Sequence, residues 1–293
     1  MTSIAAKTEV LIEALPYIQR YEGKTFVIKY GGAAMIDDEL KESFAQDVSL
    51  LKMIGIRIVV VHGGGKEVTA IANKLGIETR FINGQRYTDA AMMEVVQMVL
   101  AGGTNKDIVA RINQHDGEAI GLCGMDADLL RVERKADNGT DLGLVGSVTN
   151  VNVGFLRMLL DHHTMPVIAP VGIDHEWKAH NINADLAAAS IARELRAEKL
   201  VFLSDVAGVL ANGELIHSLR KDNAQRLAEN GVITNGMVPK IRAAFDALES
   251  GVQKVHMIDG RVKHSLLLEI FTDEGVGTEL VRSLADSTIE VLS

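Results

Sequence analysis

The chain has 293 residues, of which 47% are hydrophobic and 24% are charged, and its formal net charge is −9. This length allows two lobes or one large three-layer domain. A duplex nucleic-acid binder usually carries a basic stripe, which this sequence lacks, so we expect no nucleic-acid partner. No uncharged apolar run approaches the roughly 18 residues of a membrane span, so we expect no membrane partner either.

Cysteine use and the amino-terminal residues indicate the compartment. The single cysteine, Cys123, cannot form an internal disulfide and has no second thiol for a metal site, so we predict neither. Lys7, Glu9 and Glu13 interrupt the first apolar stretch, which argues against a signal peptide. These features predict a protein of the reducing cytoplasm.

The first predicted element is an amphipathic helix. In "VLIEALPYI", residues 10–18, apolar side chains recur at helical spacing. Pro16 is expected to kink or restart this helix. A lone helix of this length is marginal in water, so its apolar stripe needs a partner surface. That surface is either on its own domain or on a neighbouring subunit.

Strands and helices then alternate along the chain. The strands "RIVVV" and "KLVFL" are continuous apolar runs, which is typical of strands buried on both faces. The predicted elements are a strand at 25–30, a helix at 36–54, a strand at 56–62, helices at 66–75 and 89–100, the strand "MPVIAPVG", the helix "ADLAAASIARELR", the strand "KLVFLSDV", a helix at 237–248 and the strand "VQKVHMI". Between about 118 and 150, short polar strands around "RVERKADNGTDLG" predict a hairpin excursion. The alternation predicts an α/β protein, a three-layer α/β/α sandwich with an open, mainly parallel sheet.

Polar or glycine-rich turns follow four of the predicted strands, at residues 29–32, 62–68, 179–187 and 204–209. In open parallel sheets, ligands bind beyond the carboxyl ends of the strands. We therefore expect these four turns to meet at one edge of the sheet and to form the functional site there.

The first two turns favour an anion. Lys29 lies near the end of an apolar strand, where a buried ammonium group needs a nearby anion, and Gly31-Gly32 leaves backbone N–H groups open to close approach. The run 63–65 matches neither a Walker A loop nor a dinucleotide fingerprint, and by itself it also fits a tight strand-to-helix turn. However, Gly64 and Gly65 open a helix, whose N-terminus attracts phosphate. We interpret His62, just before this run, as structural or supporting.

Two later segments carry further candidates. Lys240 lies at the start of a helix, where it is either a solvated surface lysine or the partner of a bound phosphate. In "HNINADLA", Asn181, Asn183 and Asp185 alternate and share one face if the segment is extended. Asn183 or Asp185 is also a candidate N-cap of the following helix, and capping by one of them leaves the others free to face a ligand.

Six motifs together resemble the successive signatures of the amino acid kinase family. They are "FVIKYGG", "VVVHGGGKEV", "NGQRYT", "HNINADLAA", "LSDVAGVL" and "NGMVPKIRAA", and they run in order from about residue 24. The chain is most similar to the members that phosphorylate N-acetyl-L-glutamate in arginine biosynthesis. The resemblance implies an N-terminal lobe (23–174) that holds the acyl substrate and a C-terminal lobe (175–293) that holds ATP with Mg²⁺, preceded by the N-terminal helix (1–22).

The resemblance also implies roles for single residues. Lys29 and Lys240 would stabilise the transferring phosphoryl group, with Asp185 orienting both lysines. The residues implied to contact phosphate are Gly31, Gly32 and Gly64. Those implied to bind the acyl substrate are Gly64, Gly65, Arg86, Asn181 and Asn183. Those implied to bind the nucleotide are Ser204, Asp205, Gly208, Gly236, Met237 and Lys240.

Regulation by the end product is implied as well. Arginine-inhibited members of the family interlace three dimers into a hexamer through a kinked N-terminal helix, and some relatives bind the PII signalling protein. The residues matching their arginine site are Tyr17, Lys199, Glu269, Gly275 and Gly277. Glu269 is expected to pair with the guanidinium group of L-arginine.

Other functions remain open on the sequence. Within the family, the acceptor could instead be aspartate, glutamate, carbamate or UMP. A nucleotide-responsive regulator without turnover is a different class, and the presence of both lysines and Asp185 argues against it. A dinucleotide oxidoreductase is disfavoured because the glycine pattern fails.

Overall fold

The structure, a computed structural model, describes residues 4–137, 139–211, 213–233, 237–272 and 275–282. The helices are α1 (Ile4–Tyr21), α2 (Asp38–Met53), α3 (Gly65–Lys74), α4 (Ala90–Val96), α5 (Asn105–Asn113), α6 (Val153–Asp161), α7 (Ala184–Leu195), α8 (Lys221–Glu229), α9 (Met237–Glu249) and α10 (Ser265–Phe271). The strands are β1 (Thr25–Tyr30), β2 (Arg57–His62), β3 (Phe81–Ile82), β4 (Gln85–Arg86), β5 (Ala119–Cys123), β6 (Leu130–Asp137), β7 (Thr140–Val151), β8 (Met165–Ala169), β9 (Val171–Ile173), β10 (Ala179–Asn181), β11 (Lys199–Ser204), β12 (Leu210–Ala211), β13 (Glu214–Leu215), β14 (Ser218–Arg220), β15 (Lys254–Asp259) and β16 (Thr278–Val281).

The central layer is an eight-stranded sheet with the order β14-β16-β15-β11-β1-β2-β8-β5. Its neighbouring strands are parallel except for β15 and β16, which pair antiparallel. The four strands from β11 to β8 end at the same edge, and three of the predicted turns directly follow β1, β2 and β11. The predicted strand "MPVIAPVG" is instead divided into β8 and β9, and the fourth predicted turn, 179–187, begins with β10. The predicted three-layer α/β fold with a mainly parallel sheet is confirmed.

The strand side chains explain why the sheet is covered on both faces. Phe26 and Ile28 belong to one hydrophobic cluster, and Val27, between them, belongs to the cluster on the opposite face. Because successive side chains of a strand point to opposite faces, a continuous apolar run needs a helical layer on each side. The apolar runs of β2 and β11 are divided between the same two clusters.

Two predicted helices have different bounds in the structure. The helix expected at 36–54 begins at Asp38, because the Asp37 carboxylate accepts hydrogen bonds from the N–H groups of Glu39 and Leu40 at 2.9 and 3.0 Å. The helix expected at 89–100 continues instead to Asn113, through a π-helical segment at Gln97–Thr104. No capping or breaking residue stops it at position 100, and the glycines that follow are accommodated within the π-helical segment.

The hairpin predicted around residues 131–143 is present, because β6 and β7 pair antiparallel, but its strands are longer than the short strands expected. Residues 119–123 form β5, which pairs parallel with β8 and completes the central sheet. The polar stretch forms two long strands, β6 and β7, which join β9 and β10 in a small closed barrel. Leu130, Val132 and Leu142, which are separated by polar residues along these strands, are buried inside. Each strand therefore has one buried face and one polar face.

The N-terminal helix is only partly covered by its own chain. α1 runs without a break past Pro16, so the expected restart does not occur. Near its end, Tyr17 packs edge-on against Phe271, with ring centroids 6.4 Å apart. Ile12 and Leu15 remain 64% and 49% exposed. The helix therefore docks locally at its C-terminal end and leaves apolar side chains for another surface.

Cys123 is a buried free thiol, and burial raises its pKa to about 11, so it behaves as a small apolar side chain. Among the described residues, no helix is long and apolar enough to cross a membrane.

Candidate active site

Lys29 reaches the site from the carboxyl end of β1. Its side chain is largely buried, and a Cβ atom at position 31 would overlap its ammonium group. Gly31 therefore leaves room for the path of the lysine side chain, while its own backbone is extended, with a φ of −173°. The structure thus supplies a packing reason for one glycine of the first turn.

Asp185 lies in the first turn of α7 and faces two lysines. Its carboxylate is 3.1 Å from the Lys29 ammonium nitrogen and 3.8 Å from that of Lys240, which extends from α9. Burial opposes the charge of the Asp185 carboxylate, but the two ammonium groups hold its pKa below the ordinary value. Burial lowers the pKa of Lys240, and Asp185 opposes that effect. Two cations share one carboxylate, so the cluster keeps a net positive charge.

The N-cap of α7 is Asn183. Its side-chain oxygen accepts hydrogen bonds from the N–H groups of Asp185 and Leu186 at 2.9 and 3.2 Å. This settles the two capping alternatives of the sequence, because Asp185 takes no part in the cap. The Asp185 carboxylate is left for the lysines.

The glycine run after β2 forms a tight turn into α3. Gly64 has a φ of +140°, and a Cβ atom there would overlap Leu100 of the π-helical segment. Gly65 is the first residue of α3, so the helix N-terminus opens at this turn. The tight turn and the anion-attracting helix start, which the sequence left as alternatives, are both present.

Arg86 extends from β4 over the same turn. Its Nη2 donates hydrogen bonds to the Gly65 carbonyl at 2.7 Å and to the Thr69 hydroxyl at 2.9 Å. Its Nη1 is buried and has no hydrogen-bond partner in the part of the chain that is described. Burial lowers the pKa of the guanidinium. A buried, unpaired guanidinium N–H favours binding of an acceptor such as a carboxylate.

One cavity of about 220 Å³ joins the residues implied to bind the acyl substrate. Its lining includes Gly64, Gly65, Arg86, Asn181 and Asn183. Sequence motifs from three separate segments therefore meet around a single space, at the carboxyl edge of the sheet. The volume and the mixed apolar and polar lining are suited to a small ligand.

A model of the amino acid kinase family matches residues 24–259 of this chain. An acetylglutamate kinase from Aquifex aeolicus (strain VF5) is 53% identical over 296 residues, covering 96% of this chain and 99% of that protein. The chain belongs to the amino acid kinase family. The predicted family, and the predicted similarity to its acetylglutamate kinases, are confirmed.

Two solved structures of N-acetylglutamate synthase from Neisseria gonorrhoeae are similar to this amino acid kinase. The structure complexed with coenzyme A and N-acetyl-glutamate has a TM-score of 0.86 at 29% identity and covers 96% of this chain and 64% of the synthase. The structure complexed with coenzyme A and L-arginine has a TM-score of 0.81 at 28% identity and covers 96% and 66%. The kinase chain thus spans about two thirds of the synthase.

Two of the residues implied to bind the nucleotide in this amino acid kinase, Ser204 and Asp205, lie at the carboxyl end of β11. Ser204 is buried, and its hydroxyl donates to the Val206 carbonyl at 3.3 Å. The Asp205 carboxylate accepts a hydrogen bond from the Ala33 N–H and lies against Gly32, whose φ is +75°. The turn that was expected to contact phosphate is therefore tied to the turn that was expected to hold the nucleotide.

The other residues implied to bind the nucleotide lie in the turn after β11 and around the start of α9. Gly208 has a φ of +146° and packs against Thr278, so this glycine has a structural reason independent of any ligand. Met237 begins α9, three residues before Lys240. Gly236 lies outside the described residues. In the described ranges, no group of three or more His, Cys, Asp or Glu side chains could hold a metal ion.

Sequence reasoning missed two hydroxyl groups that support the site. Thr69, one turn into α3, contacts Arg86, and buried Thr88 accepts a hydrogen bond from the Asn181 side chain at 3.2 Å. Thr88 is the last residue of the motif "NGQRYT", so its position beside Arg86 was the available signal. Thr69 offered none, because its partner is distant in sequence.

The five residues implied to bind arginine lie around a second cavity, of about 170 Å³. Its lining includes Tyr17, Lys199, Glu269, Gly275 and Gly277. The Glu269 carboxylate already accepts hydrogen bonds from the His256 ring at 2.5 Å and from the Gly277 N–H at 3.0 Å. A guanidinium group would therefore have to share this carboxylate with the groups that order it.

Proposed function

We propose that this protein transfers the γ-phosphoryl group of ATP to the side-chain carboxylate of N-acetyl-L-glutamate, an early step of arginine biosynthesis. The observation that carries the proposal is the Lys29–Asp185–Lys240 cluster, with contacts of 3.1 and 3.8 Å, on the same sheet edge as the Arg86 cavity. Two cations beside a cavity for a small acid are what this reaction requires.

The main obstacle in this reaction is charge repulsion. A glutamate-type side-chain carboxylate, whose pKa in water is about 4.3, is ionised at neutral pH, so the acceptor needs no general base. It must, however, approach a phosphate that is also anionic. Lys29 and Lys240 lower this repulsion, and Asp185, in contact with both ammonium groups, orients them. The Gly64 N–H adds a neutral donor that needs no reorganisation.

Arg86 and Asn181 bind the acceptor at the other end. The free Nη1 of Arg86 gives the guanidinium one N–H for a carboxylate, and rotation away from the Gly65 carbonyl gives a second. Asn181 faces the same cavity with its carboxamide held by Thr88. These contacts fix the acceptor so that its side-chain carboxylate points toward the lysines.

We assign the acyl substrate to residues 23–174, completed by Asn181 and Asn183, and the nucleotide to the remainder of residues 175–293. The net positive charge left on the lysine cluster fits the phosphates of ATP. Mg²⁺ bound to those phosphates would supply further charge neutralisation. Ser204 ends β11 and Asp205 follows it, while Met237 begins α9. We assign the adenosine portion of ATP to the space beside these three residues.

Trapping the product as a hydroxamate tests the proposal. With ATP, Mg²⁺ and hydroxylamine present, N-acetylglutamate should give hydroxamate, while free glutamate should give little. ADP release should be measured in parallel with aspartate, carbamate and UMP. Turnover with one of these acceptors alone would place the protein elsewhere in the family, and no turnover with any would favour the non-catalytic regulator.

We further propose that L-arginine inhibits this enzyme by binding the Tyr17–Glu269 cavity. All five residues implied for such a site surround that cavity, and the exposed Ile12 and Leu15 of α1 provide a surface for a hexamer built from dimers. A similar synthase structure is a complex with L-arginine. Arginine must favour a less active arrangement of subunits, because an effector shifts states only by differential binding.

Removing residues 1–22 tests this second proposal. The truncated protein should sediment as an active dimer whose rate does not respond to arginine. A double variant, Ile12→Glu with Leu15→Glu, should also lose the hexamer while keeping the Tyr17 side of the cavity. A truncated hexamer that arginine still inhibits would contradict the proposal.

A further inference from the structure

A buried hydrogen-bond network lies directly beneath the glycine turn. His62, the last residue of β2, and Asn105, the first residue of α5, are both fully buried. The Asn105 side-chain nitrogen is 3.2 Å from the His62 Nε2 and 2.9 Å from the Val167 carbonyl. The Lys106 ammonium group donates to the Asn105 side-chain oxygen at 3.2 Å and to the Gly121 carbonyl at 2.9 Å.

These contacts determine which ring nitrogen of His62 carries the proton. A carbonyl such as that of Val167 only accepts, and an ammonium group only donates, so the Asn105 amide has one possible orientation. Its nitrogen therefore donates to the His62 Nε2, which must be unprotonated. The proton is on Nδ1, 2.7 Å from the Gly63 carbonyl. Burial lowers the pKa of this imidazole to about 4, so the ring stays neutral at physiological pH.

The hydrogen bond to the Gly63 carbonyl has a consequence for the next residue. In a trans peptide the C=O and N–H groups point in opposite directions, and the described residues contain no cis peptide. A Gly63 carbonyl held by His62 therefore directs the Gly64 N–H away from the core, toward the cavity that both glycines line. The peptide cannot flip without breaking a buried hydrogen bond.

The helix that carries Asn105 also holds Gly64 from the other side. Leu100 and Thr104 of the π-helical segment contact the position that a Gly64 side chain would occupy, and Asn105 follows immediately. The π-helical segment and α5 are continuous, so the packing contacts with the turn and the polar contact beneath it come from one stretch of helix.

We propose that His62, held by Asn105, is a positioning residue that orients the Gly63–Gly64 peptide so that the Gly64 N–H is aimed at the transferring phosphoryl group. The inference rests on the proposed function for the identity of the reacting group. His62 takes no part in proton transfer and acts only through the backbone.

Two substitutions remove the network in different ways. His62→Phe keeps an aromatic ring, although a larger one, and loses both hydrogen bonds, and Asn105→Leu leaves the ring without its partner. Each should lower kcat about 10²-fold, the lower end of the loss when one preorganised backbone donor is removed, with KM values changed much less. His62→Asn retains a donor near the Gly63 carbonyl and should recover part of this loss.

Asn113→Ala is the matched control. Asn113 lies on the same helix, and its amide also bonds to backbone, that of Ala119, but far from the glycine turn. It should lower the thermal midpoint without lowering kcat. In the network variants, affinity for MgADP with aluminium fluoride and N-acetylglutamate should fall with kcat, while affinity for a non-hydrolysable ATP analogue should not. Variants that unfold earlier but retain wild-type kcat and analogue affinities would reduce His62 to a structural role.

The ¹⁵N chemical shifts of the His62 ring test the orientation without any turnover. They should show a neutral ring protonated at Nδ1 from pH 8 down to pH 5, in the wild type and in Asn113→Ala. A proton on Nε2, or a charged ring, would overturn the inference. Absence of acyl phosphate from the wild type would instead refute the proposed function, and the shifts would still decide the orientation.

Discussion

The buried charged side chains at the two edges of the central sheet are paired in different ways. β11 runs from Lys199 at the amino edge to Ser204 at the carboxyl edge, so one strand connects the two cavities. At the carboxyl edge, Lys29 and Lys240 share the single carboxylate of Asp185. At the amino edge, Lys199 lies 4.9 Å from the centre of the Tyr21 ring, and the nearby carboxylates have partners of their own.

These partners distinguish the second cavity from the first. Glu269 accepts from His256 at 2.5 Å, and Glu279 pairs with Lys254 at 2.8 Å. The carboxylates of the amino edge are therefore already paired within the protein, whereas two lysines of the carboxyl edge share one carboxylate. The carboxyl edge is therefore prepared for an anionic ligand, while a ligand at the amino edge must replace existing interactions.

Removing a lysine from the carboxyl edge should have the largest effect. Lys29→Ala and Lys240→Ala should each lower kcat by about 10²–10³, because each removes one preorganised charge from the transition state. KM values should change less, and steady-state kinetics measure both. Lys221→Ala, which removes a surface lysine paired with Glu249, is the control and should have no effect. Wild-type kcat in either variant would remove that lysine from the mechanism.

Removing the lysine of the amino edge should instead stabilise the fold. Burial, with Lys254 nearby, lowers the pKa of Lys199 to about 8, well below its ordinary 10.5. The unfolded chain then binds more protons between these values, so stability rises with pH across that window. Lys199→Met should raise the unfolding free energy at pH 7 by up to about 3 kcal/mol. Chemical denaturation should show this gain disappearing above about pH 10.5, and a constant or absent gain would contradict the assignment.

Neutralising the Asp185 carboxylate tests whether the positive charge of the two lysines is sufficient for the full rate. Asp185→Asn should lower kcat about 10–10²-fold, because the lysines lose their common partner and repel each other. Since Asn183 provides the cap, α7 should remain folded, and circular dichroism checks this. Asp37→Asn, at the exposed cap of α2, is the matched acidic control. A wild-type rate would show that the lysines need no orienting carboxylate.

The smallest expected effect comes from changing Arg86, in the cavity of about 220 Å³. Arg86→Lys should raise the KM for N-acetylglutamate about tenfold with little change in kcat, because an ammonium group cannot grip a carboxylate with two parallel N–H groups. Arg134→Lys, at an exposed pair with Asp141, should leave KM unchanged. An unchanged KM in Arg86→Lys would mean that this guanidinium only supports the Gly65 turn.

Local patterns predicted much of the fold and of the site. The apolar runs identified β1, β2 and β11, and the polar turns after them indicated the functional edge. The β6–β7 hairpin was predicted, but its closure into a barrel was not, because the barrel needs pairings with β9 and β10, which are distant in the chain. The cap of α7 was left open, since Asn183 and Asp185 are both good caps by composition.

Residue types and their spacing were enough to predict most strands, helices and turns, because these elements form from local patterns. The sequence also indicated the anion-binding character of Lys29 and of the glycine turns from single segments. Packing of distant segments brought Asp185 to both lysines and the Asp205 carboxylate to the Ala33 N–H, and it placed the His62 ring against the Gly63 carbonyl. The first two contacts join segments that are distant in the chain. The third joins neighbouring residues, but Asn105, which is distant in the chain, fixes the orientation of the ring. Their geometry follows from how the helices pack on the sheet, which no local pattern encodes.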